Sequence, residues 1–449
     1  MLYSRQDLKK LIIPLVIEQF LAILVGLADT IMIASAGEAA VSGVSLVDNV
    51  NILIINIFSA LATGGAVVAG HCLGGKDEEG ACRAAWQLIL FCILSSLVVT
   101  VLFLSAHEWI LHTVFGAITD EVMENARIYL IITAYSIVPL AIYNACAALF
   151  RAMGNSRVTM WISLLMNLIN FVGNAVLIYG AGWGVAGAAA ATTVSRIVAA
   201  VLIFVLIRNR NRIIHITGFV TPKMHLTTVK KILFIGIPNS LESSMFQLGK
   251  IMLLSLISTL GTYSIAANAV ANTVACINIL PGMAINMAIL SVVSVCVGAG
   301  ELGQARYYTK RMMQIIYAAT GAISVLLFFG TPVIVAVYHL SPETSVLATR
   351  IIRYHAVLAF LIWPCAFSLP NTFRAAGNVV YTMVTAIVSM WVFRIGAAYF
   401  FSYFFDGGVF GVWVAMTIDW MFRAVLYVPH YLRNRWCRKV EPVQRAGNV

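Results

Sequence analysis

Eight ionisable side chains stand inside apolar runs long enough to cross a bilayer: Glu18, Asp29, Arg196, Glu242, Lys250, Arg394, Asp419 and Arg423. A charge at mid-bilayer costs at least about 2.5–3.5 kcal/mol on insertion scales, so each calls for a role or a partner. Glu18 and Asp29 share one run. On a helix, eleven residues at about 100° each return them to one face, roughly 16 Å apart along the axis. Two carboxylates at different depths on one face suit a protonation-coupled path. Desolvation favours a neutral carboxyl and a bound cation favours a charged one, so a proton or Na⁺ can switch Asp29. The plainer reading has Asp29 capping or pairing near the outer interface.

Glu18 and Glu242 each follow a proline by four residues, Pro14 and Pro238. They could attract a cationic substrate across a cleft, or satisfy backbone freed by the proline. Lys250 lies about 80° round the helix from Glu242 and is either a second cleft charge or a snorkelling side chain. Asp419 and Arg423 stand at i,i+4, with Arg394 on the preceding run, and read as an ion-pair cluster holding the second half together. Arg196 reads as structural. Asn167, Asn170 and Asn174, with Thr192 and Thr193 on the next run, place side-chain oxygens where they could ligate Na⁺. They could equally be interhelical hydrogen bonds, worth about 0.6 kcal/mol each. Asn49 with Asn56, and Asn268 with Asn272, invite the same two readings. Met245, Met252, Met283 and Met287, with Phe20, Phe58 and Phe246, could form an adaptable apolar wall or ordinary packing.

Enzyme motifs fail. His107-Glu108-x-x-x-His112 has one residue too many for a zinc-protease helix. Gly74-Gly75-Lys76 lacks the spacing and the Ser/Thr of a phosphate-binding loop, and there is no G-x-S-x-G. No cofactor is expected; the energy for pumping would come from an ion gradient or another chain.

Apolar runs of transmembrane length position these residues. They lie near 11–35, 48–70, 86–106, 128–150, 158–180 and 185–207, then 232–258, 264–297, 312–338, 351–373, 380–404 and 408–432. The fold class expected is an all-α polytopic membrane protein of twelve helices. Composition agrees: the 449 residues are 61% hydrophobic and 10% charged, against about 25% charged in soluble domains. With both termini inside, the inner segments hold 22 Lys/Arg and the outer loops three, Arg127, Arg350 and Arg353. The net charge of +11 is therefore a topology signal for a cell-membrane protein with cytoplasmic termini, rather than a nucleic-acid footprint. It also fits attraction to anionic lipid head groups. The eight Cys form no C-x-x-C and fall in no outer loop, so neither disulfides nor a zinc knuckle is indicated. No cleavable signal peptide is expected.

The chain is written twice. At an offset of 224 residues, Pro14, Glu18, Gly37 and Cys72 meet Pro238, Glu242, Gly261 and Cys296. At 223, Phe150-Arg151-Ala152-x-Gly154-Asn155 meets Phe373-Arg374-Ala375-x-Gly377-Asn378. The expected organisation is an N-terminal six-helix lobe (1–210), a basic cytoplasmic linker (211–231) and a C-terminal six-helix lobe with a basic tail (232–449). An even number of spans per repeat makes the two bundles parallel, related by a pseudo-twofold axis along the membrane normal, with a central cleft.

Twelve spans in two repeats, Ala28-Asp29-Thr30, the two Arg-Ala-x-Gly-Asn motifs, Gly236-Ile237-Pro238 and Gly184-Val185-Ala186-Gly187-Ala188-Ala189 together resemble the multidrug and toxic compound extrusion (MATE) family. The resemblance implies a secondary antiporter exporting amphipathic, often cationic drugs in exchange for H⁺ or Na⁺. It places the family's first-helix aspartate on Asp29. Asn170 and Thr192 match two further positions of the family's cation site, a possible Na⁺ site here. Asn174 stands where the family has an aspartate, which removes one charge. Phe246 stands where some members carry a coupling carboxylate. A lipid-linked saccharide flippase is the alternative, but it should show a more basic cleft. The protein is expected to act as a monomer.

Overall fold

The structure, a computed structural model, describes residues 2–115, 119–216, 225–404 and 407–437, with backbone alone for 113–115. Residues 217–224 of the expected linker and 438–449 of the expected tail lie outside the described residues. Among the described residues there is no strand. The helices are α1 Arg5–Ala34, α2 Glu38–Gly74, α3 Glu78–Phe115, α4 Asp120–Ala134 continued by Ile137–Ala152, α5 Ser156–Gly180 and α6 Gly184–Ile207. The second set is α7 Leu226–Ser258, α8 Thr262–Gly298, α9 Leu302–Val337, α10 Pro342–Leu361 continued by Pro364–Ala375, α11 Val379–Phe404 and α12 Gly408–Leu432. Among the described residues nine are straight and apolar enough to span, and the bent α4 and α10 make eleven. The twelfth, α7, is 33 residues long. Its middle is diluted by Asn239, Ser240, Glu242, Ser243, Ser244 and Gln247. Six helices per half is the two-bundle architecture expected.

The chain divides into two compact units between Ser240 and Leu241, inside α7. The first part of α7 packs into the first unit because glycines meet there. A Cβ on Gly64 of α2 would lie 2.7 Å from the Gly236 backbone nitrogen.

In the first unit a capping box opens α1: Asp7 N–H donates to Ser4 Oγ (3.2 Å) and Ser4 N–H to Asp7 Oδ2 (2.9 Å). Pro14 cannot donate to the carbonyl of Lys10. Ser156 at the start of α5 answers, with Oγ donating to Leu11 O at 2.7 Å and Lys10 O at 3.3 Å. The backbone freed by the proline is thus met by a serine rather than by Glu18. Glu18 instead pairs with Arg151 (3.6 Å) and accepts from Thr159 Oγ1 (3.0 Å).

The second unit repeats the device. Glu242 pairs with Arg374, 2.5 Å from Nη2, and Arg374 Nη1 also donates to Asn371. This explains the Arg-Ala-x-Gly-Asn motif. The arginine ties α4 to α1, or α10 to α7. The glycine then adopts a positive φ, +74° at Gly154 and +79° at Gly377, and turns the chain into the next helix. Further likenesses recur in each half. The fourth helix bends, by 50° in α4 and 57° in α10 where Pro364 interrupts it. The fifth widens into a π-turn, Ala175–Gly180 in α5 and Ser389–Gly396 in α11. π-turns commonly mark functional positions.

Candidate functional site

Within the first unit, five helices bring polar groups to one small cavity of about 110 Å³. Asp29 comes from α1, Asp48 from α2, Tyr129 from α4, Asn174 from α5 and Thr192 from α6, against an apolar wall of Ile33, Val41 and Val44. The volume admits a small ion with a few waters.

The order of residues on α5 builds this site. Asn170 and Asn174, one turn apart, are buried on the same face (6% and 1% exposed). Gly173 between them lets α6 close in, since a Cβ there would lie 2.8 Å from Ala191 Cβ. That approach sets Thr192, the next residue, beside Asn170. Asn174 Nδ2 donates to Asp29 Oδ1 at 2.8 Å. The Asn170 amide lies between Asp29 and Thr192. With its nitrogen toward the acid it donates to both carboxylate oxygens (2.8 and 3.0 Å) and accepts from Thr192 Oγ1 at 3.1 Å. Asp29 thus takes three N–H bonds from α5. Among the described residues Asn174 Oδ1 is left buried without a hydrogen-bond partner.

All four expected residues, Asp29, Asn170, Asn174 and Thr192, therefore meet. Two participants were not expected. Asp48 is bonded by Tyr129 and, at 3.5 Å, by Asn51 Nδ2. Arg196 donates to Ser136 Oγ at 2.7 Å and its charge interacts with Tyr129, Asp48 and Asp29. Along the sequence the apolar run opens at Asp48, which places that acid at a helix end. The helix starts ten residues earlier, at Glu38, so the acid stands well inside it.

The other charged candidates form separate groups. Glu18 and Glu242 are each neutralised by an arginine of their own unit, as described above. Lys250 is exposed on α7. Arg394, Asp419 and Arg423 form the expected cluster in the second unit. Arg423 Nε donates to Asp419 Oδ1 at 2.8 Å, Arg394 Nη1 stands 3.6 Å from Oδ2, and Ser389 Oγ donates to Oδ1. Phe246 lies beneath both guanidinium groups, at 5.4 Å from Arg394 and 5.7 Å from Arg423. An aromatic face, not a carboxylate, meets the two cations there.

Asn268 accepts from Trp413 Nε1 at 3.1 Å, and Asn272 and Asn49 donate to carbonyls one turn back on their own helices. The first bond ties α8 to α12, and the other two stay within their own helices. Of the Met and Phe residues, Phe58 is buried at 2%, while Phe20, Met252 and Met283 are exposed.

A family model described as MatE matches residues 14–176 and again residues 238–400. The chain belongs to the MatE family. Its two matched segments start 224 residues apart, the offset of the internal repeat, and MatE proteins are transporters rather than enzymes. Among relatives, the uncharacterised transporter YisQ of Bacillus subtilis (strain 168) is 26% identical over 444 residues, covering 95% of this chain and 94% of its own. The probable multidrug resistance protein NorM of Thermotoga maritima is 24% identical over 438 residues, covering 96% and 93%. Among solved structures, an outward-facing multidrug resistance MATE transporter superimposes with a TM-score of 0.89 at 22% identity, over 96% of this chain and 95% of that one. At that identity the likeness speaks for the fold.

Proposed function

We propose that this MatE protein is a secondary active antiporter, exporting amphipathic and often cationic compounds in exchange for H⁺ or Na⁺ by alternating access. It would act as a monomer in the cell membrane with both termini cytoplasmic. The observation that carries the reading is the hydrogen bonding of Asp29. Asn170 and Asn174 of α5 donate three N–H bonds to its carboxylate. A proton or Na⁺ on Asp29 removes or balances the charge that strengthens those bonds, and so weakens the contact. Ion binding and the α1–α5 contact therefore compete, which is the differential affinity that lets an ion shift a conformational equilibrium. Relief of that contact lets α1 repack over the cavity and release the substrate.

Charge count supports a single monovalent ion per cycle. Asp29 and Asp48 face Arg196, which leaves one net negative charge for one H⁺ or Na⁺ to balance. Asp48 supplies the charge that Asn174 lacks. Substituting Asp48→Asn is expected to lower ion-driven efflux about fivefold or more. Undiminished transport by the single variant would remove Asp48 from the ion site.

The direct test reconstitutes the protein in liposomes and imposes pH and Na⁺ gradients one at a time, following a fluorescent cationic amphiphile. Transport under one gradient alone identifies the coupling ion. Transport that ignores both gradients would sink the antiporter reading.

A further inference from the structure

A second cavity lies apart from the acidic site, at the ends of α1 and α5 remote from Asp29. It is an open groove of about 340 Å³, and its polarity is graded along the helices. Lys9 and Lys10 in the second turn of α1 and Arg157 in the first turn of α5 form its mouth. Ile13, Ile17, Met160 and Trp161 line it one and two turns further along. Among the described residues no acidic side chain lines the groove. Asp7, in the first turn of α1, is hydrogen-bonded to Ser4 and its charge also acts on Lys10. The three cations are exposed, as are Ile13 (55%), Ile17 (42%) and Trp161 (63%).

A soluble anion would use the mouth and ignore the apolar floor. A neutral lipid would use the floor and leave three charges unmatched. One molecule has both halves in this order. We infer that the groove between α1 and α5 is a binding site for one anionic phospholipid, with its phosphate among Lys9, Lys10 and Arg157 and its acyl chain along Ile13, Ile17 and Trp161. An indole at this level is where aromatic rings settle beside head groups, and basic side chains attract anionic lipid within a Debye length.

The site has a mechanical consequence. α1 carries Asp29 and α5 carries Asn170 and Asn174, so a head group bridging their other ends holds together the two helices that the ion site must separate. That consequence rests on the antiporter reading; the lipid site does not.

Native mass spectrometry of the full-length protein from mixed micelles of phosphatidylglycerol and phosphatidylcholine tests the site without any transport assay. The wild-type protein is expected to retain phosphatidylglycerol about tenfold over phosphatidylcholine. The variant K9Q/K10Q/R157Q is expected to lose that preference, and K9R/K10R/R157K to keep it. Neutralising three exposed cations elsewhere, R210Q/K230Q/K310Q, is expected to leave it unchanged. The inference is overturned if the first variant still prefers phosphatidylglycerol, if the control variant loses the preference equally, or if the arginine/lysine swap abolishes it. Displacement of the lipid by millimolar inorganic phosphate would also overturn it, by showing an anion site rather than a lipid groove.

Discussion

Asp29→Asn is expected to cut ion-driven efflux by about 10- to 100-fold, the range of a typical coupling free energy between two sites, while leaving the protein folded. The substitution is nearly isosteric, and the new amide oxygen still accepts from Asn174 at the place of Oδ1. What disappears is the charge. An amide neither takes up a proton at physiological pH nor offers Na⁺ an anionic ligand. The α1–α5 contact therefore no longer responds to pH or Na⁺ concentration, and the competition proposed to drive the cycle is gone. Equilibrium binding of the cationic probe to detergent-solubilised protein should persist, which separates lost coupling from lost folding. Wild-type efflux rates from the variant under an imposed gradient would refute the proposed role of Asp29.

The largest loss of stability is expected from Asp419→Ala. Asp419 is fully buried, Arg423 is 2% exposed, and their contact is 2.8 Å. Arg394 stands on the other carboxylate oxygen, and its Nε has no hydrogen-bond partner among the described residues. Removing the acid leaves two guanidinium groups in an apolar bundle where, among the described residues, aromatic faces, the Ala386 carbonyl 3.3 Å from Arg423 and the charge of Glu242 remain to meet them. Breaking such a buried pair costs about 3–5 kcal/mol, a large share of the stability of most folds. Thermal unfolding followed by size-exclusion fluorescence should show a strongly lowered midpoint or no folded peak. The double variant Asp419→Leu with Arg423→Met should be less damaged than Asp419→Ala, because it leaves one fewer unpaired charge. An unchanged midpoint for Asp419→Ala would show that the cluster does not hold the second unit together.

The pairing of Glu18 with Arg151 and of Glu242 with Arg374 shows how far the residues could be read before folding. All four were visible, and the two pairs were visible as repeats of each other. Their equivalence was legible because duplication preserves residue types at a constant offset. Their partnership was not, because the partners lie 133 and 132 residues apart and are joined by the way a bent fourth helix returns to the first. A carboxylate that could have met a cationic substrate is instead held by the arginine of its own unit.

The sequence by itself determined the number of the helices, the duplication, and a first list of polar residues inside them. These are properties of the chain read locally. Whether a stretch crosses a bilayer follows from the summed transfer free energy of about 20 consecutive residues, and needs no neighbour. Only the tertiary structure decided that Asp29 takes its hydrogen bonds from α5, that Asp48 joins it, and that Asp419 binds two arginines. Those outcomes depend on how each helix is rotated and bent about its axis. One extra residue in a π-turn changes which face looks inward, and a glycine such as Gly173 sets how closely two helices meet. Hydropathy carries no information on either, so side chains from five helices could converge on one cavity without leaving a pattern along the chain.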